Sequence, residues 1–263
     1  MKPSFLIASI AAVALLSGCD SQGTSAKSTE EAKPATAAVA LTELKKEDVK
    51  VGTGTGFPKG NRPAQKGDRV FVLYTGTRKD GVQFDSNDKV GGNPFDFVLG
   101  EGSVIQGWEE GIVGMIPGGV RKLSIPSKMG YGEHGSGEKI PPNTDLYFEV
   151  KLLDVVKAGE GSVFDKIDVK PGTGPAVRNG DTVSLHYDAM LTNGKPVDST
   201  RDRGKPLTFK VGTAEVIPGL DAGVVGMKAG GVRKLRVPPD IAFRSGEATG
   251  LVYFDVELLK IGK

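Results

Sequence analysis

Val104-Ile105-Gln106-Gly107-Trp108-Glu109-Glu110-Gly111 sets the architecture of the first half of the chain. It holds the only tryptophan in the chain. Two apolar residues, a polar residue and a glycine, then Trp108 and an acidic pair, mark a strand-to-helix junction. The helix can run for only about two turns, because Gly111 and Gly114 weaken it and Pro117-Gly118-Gly119 ends it. A helix that short does not persist alone in water, so a sheet must clamp it. Trp108, at its start, is expected to be largely buried and to form the floor of whatever lies above it. The pattern returns as Val216-Ile217-Pro218-Gly219-Leu220-Asp221-Ala222-Gly223, with leucine where the tryptophan stood.

That return is part of a longer repeat. Tyr74 and Tyr187 stand 113 positions apart, as do Asp85-Ser86 and Asp198-Ser199. Ile105 and Ile217 are separated by 112, as are Met115 and Met227, and Arg121-Lys122 and Arg233-Lys234. Constant spacing over this length means two domains of one fold, 41–157 and 158–263. The joint Lys157-Ala158-Gly159-Glu160-Gly161-Ser162 is short and carries glycine, and a hinge is expected there.

Within each unit the strands announce themselves by alternation. Leu146, Phe148, Val150 and Leu152 interleave with Tyr147, Glu149 and Lys151, a period of two, and Val252, Phe254, Val256 and Leu258 repeat it. Val70–Tyr74 and Val183–Tyr187 are β-rich, and Phe95, Phe97 and Leu99 alternate. Asp80-Gly81 and Asn193-Gly194 are hairpin turns at matching places. The expected fold class is α+β: two tandem domains, each an antiparallel sheet wrapped on one short helix.

Composition narrows the function. The 263 residues carry 34 basic and 32 acidic side chains, a net charge of +2, with no basic run, so nucleic acid is not an expected partner. The 38 glycines imply many turns, and a single cysteine rules out an internal disulfide. His134 and His186 are too few and too far apart to suggest a metal site. No G-x-S-x-G elbow, Cys/His pair or Walker loop is present. Gly52-Thr53-Gly54-Thr55-Gly56 lacks the Lys-Ser/Thr of a phosphate loop and reads as a turn. Glu109 and Glu110 point apart on a helix and read as ordinary partners of its dipole rather than as a catalytic pair.

The amino terminus reads as an export signal. Lys2 supplies the positive start, and the apolar run Phe5–Leu16 is too short to span a bilayer but suits a signal peptide, residues 1–18. Leu16-Ser17-Gly18-Cys19 resembles a bacterial lipobox, which would place acyl chains on Cys19 and anchor the protein to a membrane. An ordinary cleaved signal with an incidental cysteine is the competing reading. Asp20 resembles the position-two aspartate that retains lipoproteins in the inner membrane of enteric bacteria, with the outer membrane as the alternative. Residues 19–40, from Ser21 on mostly Ser, Thr, Ala, Lys, Glu and Pro with almost nothing to bury, read as a disordered tether.

What remains is an aromatic inventory: Tyr74, Phe84, Phe95, Trp108, Tyr131 and Phe148, with Val104, Ile105 and Ile140. By composition alone this is a hydrophobic core. The spacings say more. Tyr74-Thr75-Gly76, Gly81 to Phe84-Asp85-Ser86, Pro94-Phe95, the opening stretch, Tyr131-Gly132, Ile140-Pro141-Pro142 and Phe148 together resemble an FKBP-type prolyl cis-trans isomerase over 48–156. The second unit resembles the same family less completely, from about 165 onward.

The resemblance implies one shallow apolar pocket for a proline ring and no cofactor or metal. It makes Trp108 the floor and Tyr74, Phe84, Phe95, Val104, Ile105 and Phe148 the walls. The Ile105 backbone N–H would hold a substrate carbonyl. Asp85 would stand at the rim beside Tyr74, and Tyr131 and Ile140, on the loop 126–143, would cover the top. The family often pairs this aspartate with an arginine. The first unit has none, and Lys89 is the stand-in expected for it; Ser136 replaces a histidine common in human members.

In the second unit the candidate pocket is Tyr187, Val197, Asp198, Leu207, Val216, Ile217, Leu220, Phe243 and Phe254, with Arg203 available to the aspartate. Val197, Leu207, Leu220 and Phe243 stand where the first unit has Phe84, Phe95, Trp108 and Tyr131. The covering loop shrinks to Arg244–Gly250, and a weaker catalyst is expected. The implied function is a lipid-anchored, periplasm-facing isomerase that acts on proline-containing unfolded or exported polypeptides, takes macrolides of the rapamycin class, and is a monomer. A polypeptide-binding module without catalysis is the alternative.

Overall fold

The computed structural model describes residues 40–57, 61–89, 92–159, 165–242 and 250–262. The expected signal peptide, Cys19, Asp20, the tether up to residue 39, Glu160-Gly161-Ser162 of the joint, Phe243 and residues 244–249 of the short loop lie outside the described residues.

The first repeat runs β1 (Lys45–Lys50), β2 (Arg69–Arg78), β3 (Gln83–Ser86), β4 (Phe95–Val98), α1 (Gln106–Gly111), β5 (Val120–Ile125) and β6 (Leu146–Val156). Its strands pair antiparallel in the order β1-β5-β6-β2-β3, with β4 also on β2. The second repeat runs β7 (Asp165–Lys170), β8 (Thr173–Ala176), β9 (Thr182–Leu191), β10 (Pro196–Ser199), β11 (Leu207–Lys210), α2 (Pro218–Val224), β12 (Lys228–Ala229), β13 (Val232–Val237), α3 (Pro239–Ala242) and β14 (Val252–Gly262). Its main sheet repeats the order, β7-β13-β14-β9-β10 with β11 on β9. The added turn α3 departs from the expectation of a single helix per unit.

The alternation in β6 is realised as burial. Leu146, Phe148, Val150 and Leu152 face the core, while the residues between them are half-exposed. Both hairpins close on a glycine at φ +81°, Gly81 and Gly194, a left-handed value that glycine adopts without strain. The preceding Asp80 and Asn193 side chains accept the backbone N–H two residues on, at 3.1 and 3.0 Å.

Each helix lies flat on its sheet because glycine faces the strand. A Cβ added to Gly107 would fall 2.4 Å from Ile125 Cγ2, and one on Gly111 would fall 2.7 Å from Leu123 Cδ1. The second repeat does the same with Gly219 on Val237 at 2.2 Å and Gly223 on Leu235 at 2.4 Å. Gly111 therefore belongs to the packing of α1 as well as weakening its propensity. Gly114, at φ +86°, lies beyond the helix.

The two repeats share one compact unit, Val39–Lys263, and meet through buried groups. Arg236 on β13 donates to Asp154 on β6, Nε to Oδ2 at 2.8 Å and Nη2 to Oδ1 at 2.7 Å, and Nη2 also donates to the Val155 carbonyl at 2.5 Å. The Tyr253 hydroxyl donates to the same carboxylate at 2.5 Å. Arg236 is 2% exposed and Asp154 0%. Phe71, Val156 and Leu251 pack beside them, and Phe57 stacks on Tyr253 at 5.5 Å. A free hinge would leave these groups in water. The structure instead joins the halves through a paired charge that cannot be exposed cheaply.

Candidate active site

The strand β2 carries Tyr74, the junction before α1 carries Val104 and Ile105, and α1 sets Trp108 beneath them. Trp108 is 4% exposed, and its ring meets Tyr74 edge-on at 4.9 Å and Phe148 at 5.2 Å. Phe84 stands on Phe148 at 5.4 Å and 84°. Phe97, which the sequence placed in a strand rather than in the pocket, lies 5.7 Å from Trp108 and closes the floor from the side. Phe95 is 6.1 Å from Trp108 but 41% exposed, and Tyr131 is 39% exposed. These two are lips of an open cup, whereas Trp108, Phe84, Phe148 and Ile140 are its interior.

Ile105 caps α1 in extended conformation, at φ −60° and ψ 146°. Its carbonyl receives the N–H groups of Trp108 and Glu109. Its own N–H donates to no acceptor among the described residues, so a donor is left at the cup edge. The covering loop is built, not loose. Ser136 N–H donates to the Ile140 carbonyl at 2.8 Å, and Ile140 N–H returns to Ser136 at 3.2 Å, which holds Ile140 over the cup.

The polar groups gather at one rim. Tyr74 donates its hydroxyl to Asp85 Oδ2 at 2.5 Å. Burial first, then the Asp85 carboxylate, push the Tyr74 hydroxyl far above its ordinary pKa. Burial and the same carboxylate also raise Tyr131. Both phenols stay neutral at any physiological pH. Among the described residues no ion pair joins Lys89 to Asp85, so Lys89 does not stand in for the missing arginine. Lys139 reaches from the covering loop to the Phe84 carbonyl at 3.3 Å.

The second cup encloses a cavity of about 360 Å³, lined by Tyr187, Val197, Asp198, Leu207, Val216, Ile217, Leu220 and Phe254. Leu220, 3% exposed, forms its floor. Ala189, Glu215, Ala242 and Val252 also line it, and the sequence did not place them in the pocket. Val197, at 44% exposure, is a lip. Arg203 pairs with Asp198, donates to the Tyr187 hydroxyl at 3.2 Å, and lies 5.9 Å over the Tyr187 ring. Partial burial opposes ionisation of Asp198, but the hydrogen bonds from Tyr187 and Arg203 outweigh it and lower its pKa.

Three supporting groups had no role assigned to them from the sequence. Asn87 Oδ1 accepts the Tyr74 N–H at 2.7 Å while its amide donates to the Val72 and Asn93 carbonyls, both at 3.1 Å. Thr200, 113 positions on, does the same for Tyr187 N–H at 2.8 Å. Gly76 admits the aromatic wall, since an added Cβ would sit 2.6 Å from Phe84 and 2.7 Å from Phe148. Glu109 turned out to be more than a dipole partner. It is buried and accepts the backbone N–H groups of Gly100 and Gly102, which fixes the loop before the junction, and Asp221 accepts Gly212 in the same way. The repeat spacing was the available signal for Asn87 and Thr200, but the change of residue type hid it.

The chain is similar in sequence to known proteins. A family model described as FKBP-type peptidyl-prolyl cis-trans isomerase matches residues 60–153 and again 174–259. A human protein named peptidyl-prolyl cis-trans isomerase FKBP10 is 35% identical over 199 residues, which cover 76% of this chain and 34% of that one. The Neurospora crassa FK506-binding protein 4 is 44% identical over 126 residues, 48% of this chain and 25% of its own. A crystal structure of the 3 FKBP domains of wheat FKBP73 overlaps 83% of this chain and 94% of its own, at 24% identity and a TM-score of 0.39. The chain spans about a third of the length of the human relative it matches.

Proposed function

The chain belongs to the FKBP-type peptidyl-prolyl cis-trans isomerase family, and from that premise we propose that its first cup isomerises X–Pro bonds in unfolded polypeptides. The observation that carries the reading is Trp108 buried under Tyr74, Phe84 and Phe148, beside an Ile105 N–H with no acceptor of its own.

Rotation about X–Pro breaks amide resonance at a barrier of roughly 18–20 kcal/mol. The planar amide separates charge more than the twisted one does. An apolar cup therefore disfavours the planar ground state more than the twisted transition state. A difference of about 1.4 kcal/mol gives a factor of ten in rate. The proline ring sits on Trp108, the Ile105 N–H receives a carbonyl, and Ile140 and Tyr131 keep water from the top. No nucleophile takes part, and Asp85 with Tyr74 serves as an orienting polar contact. Macrolides of the rapamycin class would enter the same cup.

The second cup has leucine and valine where the first has tryptophan and phenylalanine. Each lost wall removes apolar enclosure at about 25 cal/mol per Å². We read it as a polypeptide-binding site with little catalysis. The pattern Leu16-Ser17-Gly18-Cys19 and the position of the sole cysteine support a lipid anchor at Cys19 facing the periplasm of a bacterial envelope. The mature protein is read as a monomer.

A protease-coupled proline-peptide assay on the full chain tests the functional reading. Trp108→Ala should lower kcat/KM by more than tenfold, and Leu220→Ala by less than threefold. Equal losses would place catalysis in both cups. Mass spectrometry of the mature protein tests the anchor, and any amino terminus other than a lipidated Cys19 would sink it.

A further inference from the structure

The two cups carry the same Tyr–Asp pair, but only the second pairs its aspartate with a cation. In the second, Asp198 is neutralised by Arg203, which also donates to Tyr187. In the first, the Tyr74 hydroxyl is the only partner of the Asp85 carboxylate among the described residues. Asp85 is exposed, and one of its oxygens accepts nothing among the described residues. A carboxylate offers about four acceptor positions, and one is filled here. Among the described residues no lysine or arginine pairs with Asp85, Lys89 included. Lys139 donates to the Phe84 carbonyl, and Lys151 pairs with Asp88 at 2.5 Å. The hydroxyl of Tyr131 is close enough to feel the Asp85 charge, and it is neutral.

From this contrast we propose that Asp85 makes the first cup favour X–Pro bonds flanked by a lysine or arginine over those flanked by an acidic residue. The proposal rests on the first cup being the proline site. A proline ring on Trp108 leaves the chain to exit over the rim, where a flanking cationic side chain meets the free carboxylate oxygen. A flanking glutamate meets the same charge with the wrong sign. The rim is exposed, so the effect is modest: exposed ion pairs give factors of about two to five, and the lysine-to-glutamate contrast doubles that on a logarithmic scale.

The test uses the full chain and proline tetrapeptides with lysine, leucine or glutamate placed before the proline, or after it. In one of the two series kcat/KM for lysine should exceed that for glutamate by about fivefold in about 0.01 M salt. The ratio should fall toward one in about 1 M salt, where the screening length shrinks from about 30 to about 3 Å. Asp85→Asn, which keeps an acceptor for Tyr74, should bring the ratio below two at low salt. A ratio within twofold of one in both series for the unsubstituted chain, or a ratio that survives Asp85→Asn, overturns the assignment. Turnover of the leucine peptide, measured in the same assay, tests the isomerase reading separately.

Discussion

At the residue scale a few contacts around Trp108 shape the first cup. Gly76 is the sharpest of them. Its missing Cβ makes room for Phe84 and Phe148, while the second repeat carries Ala189 at the matching place, with the smaller Val197 opposite. Gly76→Ala should therefore overpack the first cup and cost about 1–3 kcal/mol, as inserted atoms do in a filled core. Combining it with Phe84→Val should recover the stability, read by urea denaturation, but not the peptide turnover. Recovery of both would mean that Phe84 is not a working wall. The aromatic floor was legible in the sequence because tryptophan is rare and its place before a short helix is distinctive. Phe97, Asn87 and Gly76 were not. Their roles depend on which face of a strand or loop meets the cup, and spacing along the chain does not report that.

At the element scale the short helices need clamps, and an arginine supplies each one. Arg121 donates to the Gly111 carbonyl at 2.8 Å and the Val113 carbonyl at 3.1 Å, and it pairs with Asp48 at 2.6 Å. Arg233 repeats this on Gly223, Val225 and Asp168 at 2.8, 2.9 and 2.6 Å. A cation on the last carbonyls of a helix satisfies orphan acceptors and complements the dipole. Arg121→Met should destabilise the chain by about 2 kcal/mol, since it strips a charged donor from buried carbonyls. The hydrogen bond and charge of Arg121 hold Asp48 below its ordinary 3.8, and those of Arg233 do the same for Asp168. A carboxylate whose folded pKa is depressed stabilises the fold above its unfolded pKa. That contribution is lost as the pH falls through the folded value. Thermal melts should therefore hold level from neutral pH to about 5 and decline below about 4, less steeply in Asp48→Asn. An unchanged slope would show that Asp48 contributes nothing to the acid dependence of stability. The sequence showed Arg121 and Arg233 only as markers of the repeat, because their partners lie on strands far away in the chain.

At the scale of the whole molecule, the halves are held by the buried Arg236–Asp154–Tyr253 group rather than left to a hinge. Two clues stood in the sequence. Asp154 continues the inward phase of β6, and Arg236 occupies the place where the first repeat has Ser124. Each is odd only when set against the other repeat, and neither names its partner. Removing one member of a buried pair leaves a charge without compensation, at about 3–5 kcal/mol, whereas replacing both by apolar groups costs far less. Arg236→Met should therefore lower stability sharply and uncouple the halves, giving two denaturation steps in place of one. Arg236→Met with Asp154→Leu should regain most of the loss. A single step with undiminished midpoint in Arg236→Met would show that the contact does not join the repeats.

The central claim is that the first cup works by excluding water from the amide and uses no acid or base. The most direct test is the pH dependence of kcat/KM of the full chain between about 6 and 8, measured with and without Phe84→Ala. Neutral phenols and an apolar floor predict a flat profile and a loss of more than tenfold in Phe84→Ala at every pH. A bell-shaped profile, or turnover that survives Phe84→Ala in a folded protein, would contradict it.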